Sequence, residues 1–207
     1  MGGGIQTGRE NMNDTSNVTN THNGHEYVDL GLPSGTLWAT CNVGATSPEQ
    51  AGLYFAFGET TGYSAEQVKK GERSFDSASY TAPSVSENLS LEQDAARANL
   101  GGNWRMPTKR QFTELIDNCG VTWTNDYNGT GVAGKVFTSK VNGNSVFFPA
   151  AGYCDNSYVD NVGSYGYYWS ASWYDSSNAW YLDFGSGGQD LDYYNRYFGQ
   201  SVRGVCE

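Results

Sequence analysis

The sequence predicts a loop-rich α+β domain in which two helices combine with several short antiparallel strands, and three observations carry that expectation. Two central stretches place helix start signals ahead of helically spaced apolar residues, and short β-forming runs dominate everything after Cys119. The 27 glycines among 207 residues provide the turns between them. A chain of this length buries enough surface for one domain without needing metals or disulfides to fold.

Residues 1–24 are Gly, Asn, Thr and Ser with almost no large apolar group, so they read as a tail preceding a domain over 25–207. His22 and His25, the only histidines, fall in or beside that tail and read as solvent-exposed rather than metal-binding. From Glu26, the runs Tyr27–Leu30 and Thr36–Trp38 flank a Pro33-Ser34-Gly35 turn signal and predict a β-hairpin. Residues 58–88 show no sustained periodicity and read as a loop excursion. Ser90-x-x-Gln93, then Ala95, Ala96 and Ala98, then Gly101-Gly102, reads as a capped helix with a glycine stop. Pro107-Thr108-x-x-Gln111 repeats the start signal, and Phe112, Leu115 and Ile116 form its buried stripe. Strands are expected at Val121–Thr124, Lys135–Lys140, Ser145–Pro149, Tyr167–Ser172, Ala179–Phe184 and Ser201–Cys206. Alternation in the fifth of these assigns Trp180, Leu182 and Phe184 to the core and leaves Tyr181 and Asp183 exposed.

A net charge of −10 argues against nucleic acid, whose binding depends on basic side chains displacing counterions. No run approaches the ~20 apolar residues of a membrane span, and Met1-Gly-Gly-Gly lacks the features of an export leader, which an exported form would have lost. Cys41, Cys119, Cys154 and Cys206 are too dispersed for a zinc site and leave disulfides and buried thiols both open. Gly129-x-Gly131-x-x-Gly134 matches the dinucleotide fingerprint as a string, but a β-like run follows it where a helix is required, so it reads as a hairpin connection. With no histidine after His25, the usual nucleophile–base constellations cannot be assembled, and the chain reads as non-enzymatic with no cofactor. Asp190-x-Asp192 could contribute to a calcium site but reads better as solvated charge, so no metal ligand is assigned.

The informative region spans about 152–201, with ten Tyr, eight Ser, seven Gly, six Asp and four Asn and no Lys, Glu or Met. An ordinary exposed surface carries Lys and Glu. Antibody paratopes share the composition found here because Tyr is a rigid amphipathic anchor while Ser, Gly and Asn adapt their hydrogen bonds.

Five landmarks occur in order: Glu26-Tyr-Val-Asp-Leu-Gly-Leu-Pro-Ser-Gly-Thr-Leu-Trp-Ala-Thr-Cys-Asn-Val-Gly-Ala45, Trp104-Arg-Met-Pro-Thr108, Phe148-Pro-Ala-Ala-Gly152, Tyr168-Trp-Ser-Ala-Ser172 and Gly199-Gln-Ser-Val-Arg203. On these the chain from Glu26 to Glu207 resembles the Fibrobacter major paralogous domain family. That resemblance implies a C-type-lectin-like fold of the formylglycine-generating-enzyme subtype, with the chain ends paired as strands and Cys41 near Cys206. It slightly favours a bridge between them over two buried thiols. The reactive cysteine pair of those enzymes has no counterpart here, and neither do the lectin calcium motifs, Trp123-Thr-Asn125-Asp126 being interrupted.

The C-terminal stretch also resembles the variable proteins of diversity-generating retroelements, whose ligand-binding positions arise from codons randomised at adenines. The resemblance assigns ligand binding to Tyr174, Asp175, Ser176, Ser177, Asn178, Tyr181, Asp183, Asp190, Asp192, Tyr193, Tyr194, Asn195, Tyr197 and Phe198, with Trp180, Leu182, Phe184, Gln189 and Arg196 as scaffold. The expected function is recognition or adhesion towards a protein or glycan, by an exported cell-surface protein or a phage particle. An undiversified structural or adhesive surface domain and a divergent enzyme of the same fold are the alternatives.

Overall fold

The computed structural model describes residues 20–207. The first sheet runs β1 (Asn20–His22), β2 (His25–Asp29), β3 (Leu37–Asn42) and β14 (Arg203–Cys206), so the two chain ends are neighbours. The second places β12 (Gly188–Asn195), β11 (Asn178–Gly185), β10 (Tyr165–Trp173), β13 (Gln200–Ser201) and β4 (Tyr54–Phe55) side by side. A three-stranded sheet contains β5 (Cys119–Thr124), β6 (Gly134–Ser139) and β7 (Ser145–Pro149), and a small hairpin joins β8 (Tyr153–Asp155) to β9 (Tyr158–Asp160). The helices are α1 (Ala65–Lys69), α2 (Ala95–Leu100) and α3 (Lys109–Asn118). Among the described residues no helix is long and apolar enough to cross a membrane.

Strand accounts for 41% and helix for 14%, in four sheets, which corrects the expected α+β balance to a β-rich fold. The helix signals are local and short. Ser90 starts only a 3₁₀ turn at Leu91–Gln93, after which Asp94 caps α2 by accepting from the Arg97 amide, and Gly101 ends it. Thr108 and Gln111 form the expected reciprocal capping box on α3, whose Phe112 and Leu115 are buried. The loop excursion hides a third start signal, because Ser64 and Gln67 cap α1 in the same way. Meanwhile β12, absent from the expectation, adds eight residues of strand beside β11.

The tail reading fails at its C-terminal end. Residues 1–19 lie outside the described residues, but Asn20–His22 pairs with His25–Tyr27 through an Asn23-Gly24 turn. His22 is held there, its Nε2 accepting from the Asn103 amide at 2.9 Å and its carbonyl from Trp104 Nε1 at 2.9 Å. The Gly129–Gly134 string joins β5 to β6, as a hairpin connection should.

All four cysteines are free thiols, which corrects the expected Cys41–Cys206 bridge. The chain ends do pair, but Cys206 stands opposite Leu37 and Arg203 opposite Asn42. Cys41 therefore lies four residues along β3 from the partner of Cys206, roughly 13 Å at strand spacing, beyond disulfide reach.

Arg203 ties the first sheet to the third. Fully buried, it donates from Nε to Asn42 Oδ1 at 2.9 Å, from Nη1 to the carbonyls of Ala39 and Thr40 at 2.9 and 2.7 Å, and from Nη2 to the Phe147 carbonyl at 2.9 Å. Its guanidinium also lies 4.5 Å from the centre of the Phe148 ring. Burial lowers its pKa, yet these acceptors stand in for a counter-ion.

Candidate recognition face

Strands β10, β11 and β12 form an antiparallel ribbon whose register determines what shares a face. Leu182 lies between Tyr168 and Leu191 on the face that α3 covers with Phe112 and Leu115. On the other face Asp183 lies between Tyr167 and Asp190, and Tyr181 between Trp169 and Asp192. Two glycines shape this ribbon. A Cβ on Gly166 would lie 2.1 Å from the Phe184 ring, and one on Gly185 would lie 2.9 Å from that of Tyr165, so both rings lie directly against backbone.

Placed beside the expectation, this register requires corrections. Tyr181 is only 5% exposed and packs with Tyr167, Trp169 and Tyr194, whereas Trp180 is half-buried at the surface. Alternation shows that the two faces of β11 differ, but β11 is a central strand with packed layers on both sides. Water reaches only parts of each face, so the core-and-surface assignment does not follow from period two. Phe198, also expected in the binding set, is 6% exposed and stacks on Tyr194 at 4.5 Å.

The remaining expected residues are spread over both faces and the ends of the ribbon. Asp183, Asp190, Asp192 and Tyr194 occupy the face opposite α3, and Tyr194 links Tyr181 (6.0 Å between ring centres) to Tyr153 (6.1 Å). Tyr174 and Tyr193 stack at 3.9 Å on the α3 side, edge-on to Trp180, over whose ring Lys109 Nζ sits at 3.1 Å. Asp175, Ser176, Ser177 and Asn178 form the β10–β11 turn, where Asp175 Oδ1 accepts from the amides of Ser177 and Asn178. Those bonds hold the Asp175 carboxyl below its ordinary pKa and make its role a turn-former's. Asn195 faces Asn178 at the far end of the ribbon, and half-buried Tyr197 packs on Phe198 at 4.7 Å. Arg196 is buried scaffold, as expected, donating to the carbonyls of Pro83 and Ser176.

Three tyrosines outside the expected set complete the face. Tyr167 lies 5.0 Å from Tyr153, 5.8 Å from Tyr181 and 6.2 Å from exposed Tyr165. The signal for Tyr165 and Tyr167 was available in their alternation around Gly166; Tyr153 arrives from the separate β8–β9 hairpin, which only the tertiary fold brings near.

The electrostatics of the face are one-sided. Burial, reinforced by the carboxylates of Asp192 and Asp190, raises the Asp183 pKa. Tyr153 is pushed up to about 12, by burial first and then by Tyr194, Asp160 and Asp155. Burial also raises Tyr167, against the lowering effect of the hydrogen bond that Asn161 Nδ2 donates to its hydroxyl at 3.0 Å. Because folding raises the Asp183 pKa, its ionisation opposes folding, with no penalty below its unfolded value and a growing one as pH rises through the folded value. Asp183→Asn is therefore expected to melt higher than the parent, by a margin that widens between pH 4 and pH 7. Melting curves of both proteins across that range check this, and a margin that is constant or narrows with pH contradicts it.

A family model for a domain of unknown function, DUF8237, matches residues 123–205, less than half of the chain but including all of β10, β11 and β12. No curated protein and no solved structure matches the chain.

Proposed function

We propose that this chain is a non-enzymatic recognition protein that binds a macromolecular ligand through the tyrosine–aspartate face of β10, β11 and β12. The observation that carries this reading is the register itself. It lines up Tyr165 and Tyr167, then Asp183, then Asp190 and Asp192 on one side of a continuous antiparallel ribbon. An ordinary wet face would distribute Lys and Glu there, and like charges such as Asp183 and Asp190 directly opposite one another oppose sheet formation. Rigid strands carrying aromatic anchors lose little entropy on binding, which suits recognition without a preformed catalytic pocket.

The reading extends to diversification by a retroelement and to display on a cell surface or phage particle. Support comes from residue types at exposed positions, which are those that adenine-directed randomisation of Asn codons reaches. The gene tests this part. Asp, Asn, Tyr and Phe codons always end in a pyrimidine, so the informative positions are Ser176 and Ser177: pyrimidine-ending codons there, with an adenine-rich template copy nearby, are expected, and TCA or TCG codons there without any such copy remove it.

The binding part is tested on an array of glycans and surface proteins. Parent protein should be retained by a subset of spots, and the variant Tyr165→Ser, Asp190→Ser, Asp192→Ser should bind those spots at least tenfold more weakly with an unchanged melting temperature. Equal retention of the variant, or no retention of the parent, overturns it.

A further inference from the structure

We propose that the groove between the first turn of α3 and the joined ends of β10 and β11 binds an acidic sugar, a pyranose ring that carries a carboxylate. The groove lies on the α3 side of the ribbon, so it is separate from the tyrosine–aspartate face and does not rest on that reading. Its volume of about 720 Å³ falls within the ~300–1,000 Å³ typical of small-ligand sites.

Two properties of the lining specify the occupant. The first is its aromatic wall, since Trp173, Tyr174 and Trp180 all border the groove and none of the three is fully buried. A pyranose has C–H groups on a ring face that packs against an indole or phenol ring, and hydroxyls at its rim that need hydrogen-bond partners. Asn88 supplies such a partner. Its Oδ1 accepts from the Ser172 hydroxyl at 2.7 Å, and that hydroxyl accepts from the Lys109 amide at 2.9 Å, so the side chain is oriented while its Nδ2 donors bond to no other group of the chain.

The second property is charge. In a chain of net charge −10 the groove is lined by two cations, Lys109 and Arg110, against one acid, Glu87. Neither cation takes part in any of the three ion pairs among the described residues. Lys109 Nζ is held 3.1 Å from the centre of the Trp180 ring, a contact that fixes the ammonium beside the groove without neutralising it. Arg110 is exposed at the next position of α3, and a guanidinium binds a carboxylate through two parallel N–H donors.

A nucleotide also combines a ring with negative charge, but it is the poorer occupant. Its planar base binds best in a slot between parallel rings, and the parallel pair here, Tyr174 and Tyr193, is already closed at 3.9 Å. Trp180 meets those two rings at 87° and 85°, so it forms no second wall of such a slot. A phosphate dianion would also exceed the single net positive charge of the lining, whereas a carboxylate matches it.

The test is an NMR titration of the intact chain, read at the indole N–H signals of Trp173 and Trp180, with methyl glucuronide, methyl sialoside, methyl glucoside and adenosine monophosphate. The two acidic sugars carry the carboxylate at different ring positions, and at least one is expected to shift both indoles at least tenfold more strongly at equal concentration than the neutral glucoside does. Raising the salt tenfold should weaken that effect, and Arg110→Glu, at an exposed position, should reduce it at least tenfold with an unchanged melting temperature. No shift from either acidic sugar, equal shifts from the glucoside, full shifts in Arg110→Glu, or larger shifts from adenosine monophosphate overturn the proposal. The variant Tyr165→Ser, Asp190→Ser, Asp192→Ser separates this site from the tyrosine–aspartate face. It should titrate with acidic sugar as the parent protein does, whatever the array shows; if it loses the sugar, the groove is not the site and the proposal falls.

Discussion

Arg203→Met is expected to destabilise the protein by about 3–5 kcal/mol, a large share of the ~5–15 kcal/mol that holds a typical domain together. The guanidinium is fully buried without a carboxylate partner, so its own desolvation opposes folding, and a methionine of similar length removes that cost. What methionine cannot replace are four donated hydrogen bonds. The carbonyls of Ala39, Thr40 and Phe147 and the Asn42 side chain would all lose their donor in the interior, each at about 1–3 kcal/mol and not additively. Because those acceptors sit on β3, its end and β7, the loss would loosen the join between the first and third sheets. Urea unfolding of the two proteins measures it, and a Met variant with an unchanged midpoint would show that desolvation of the charge cancels the bonds it makes.

The second large effect separates two tyrosines that look alike in sequence. Tyr181→Ser is expected to cost about 3 kcal/mol, because it empties a ring-sized space among Tyr167, Trp169 and Tyr194 in the core. Tyr193→Ser is expected to stay within about 0.5 kcal/mol, since Tyr193 is 43% exposed and its partners Tyr174 and Trp180 lie at the surface. Thermal or urea unfolding of the pair decides the matter. Similar losses for both would mean that the ribbon faces are assigned wrongly.

Tyr181 also shows where sequence reading reaches its limit. Its alternation with Leu182 and Asp183 was legible and correct, and so were the strand Ser145–Pro149 and the β2–β3 hairpin. The capping boxes at Thr108 and Ser64 are equally local, although the second went unread inside a stretch without apolar periodicity. The concentration of Tyr and Asp between 152 and 201 coincides with the stretch that folds into β8 to β13. Within it, the expected set included Tyr181 and Phe198, which are core, and omitted Tyr153, Tyr165 and Tyr167, which line the face.

Composition and local spacing by themselves determined the acidic, tyrosine-rich character of this protein, most of its strands and the start of α3. These follow from backbone propensity and from hydrogen bonds spanning a few residues. Only the tertiary structure decided that the fold is β-rich, that β12 flanks β11, that Cys41 and Cys206 stay apart, and that Asp183 lies between Tyr167 and Asp190 with one oxygen unpaired. The physical reason is that strand neighbours and register depend on pairings between distant segments, and burial depends on what packs above each face, neither of which is encoded in the spacing of a single strand.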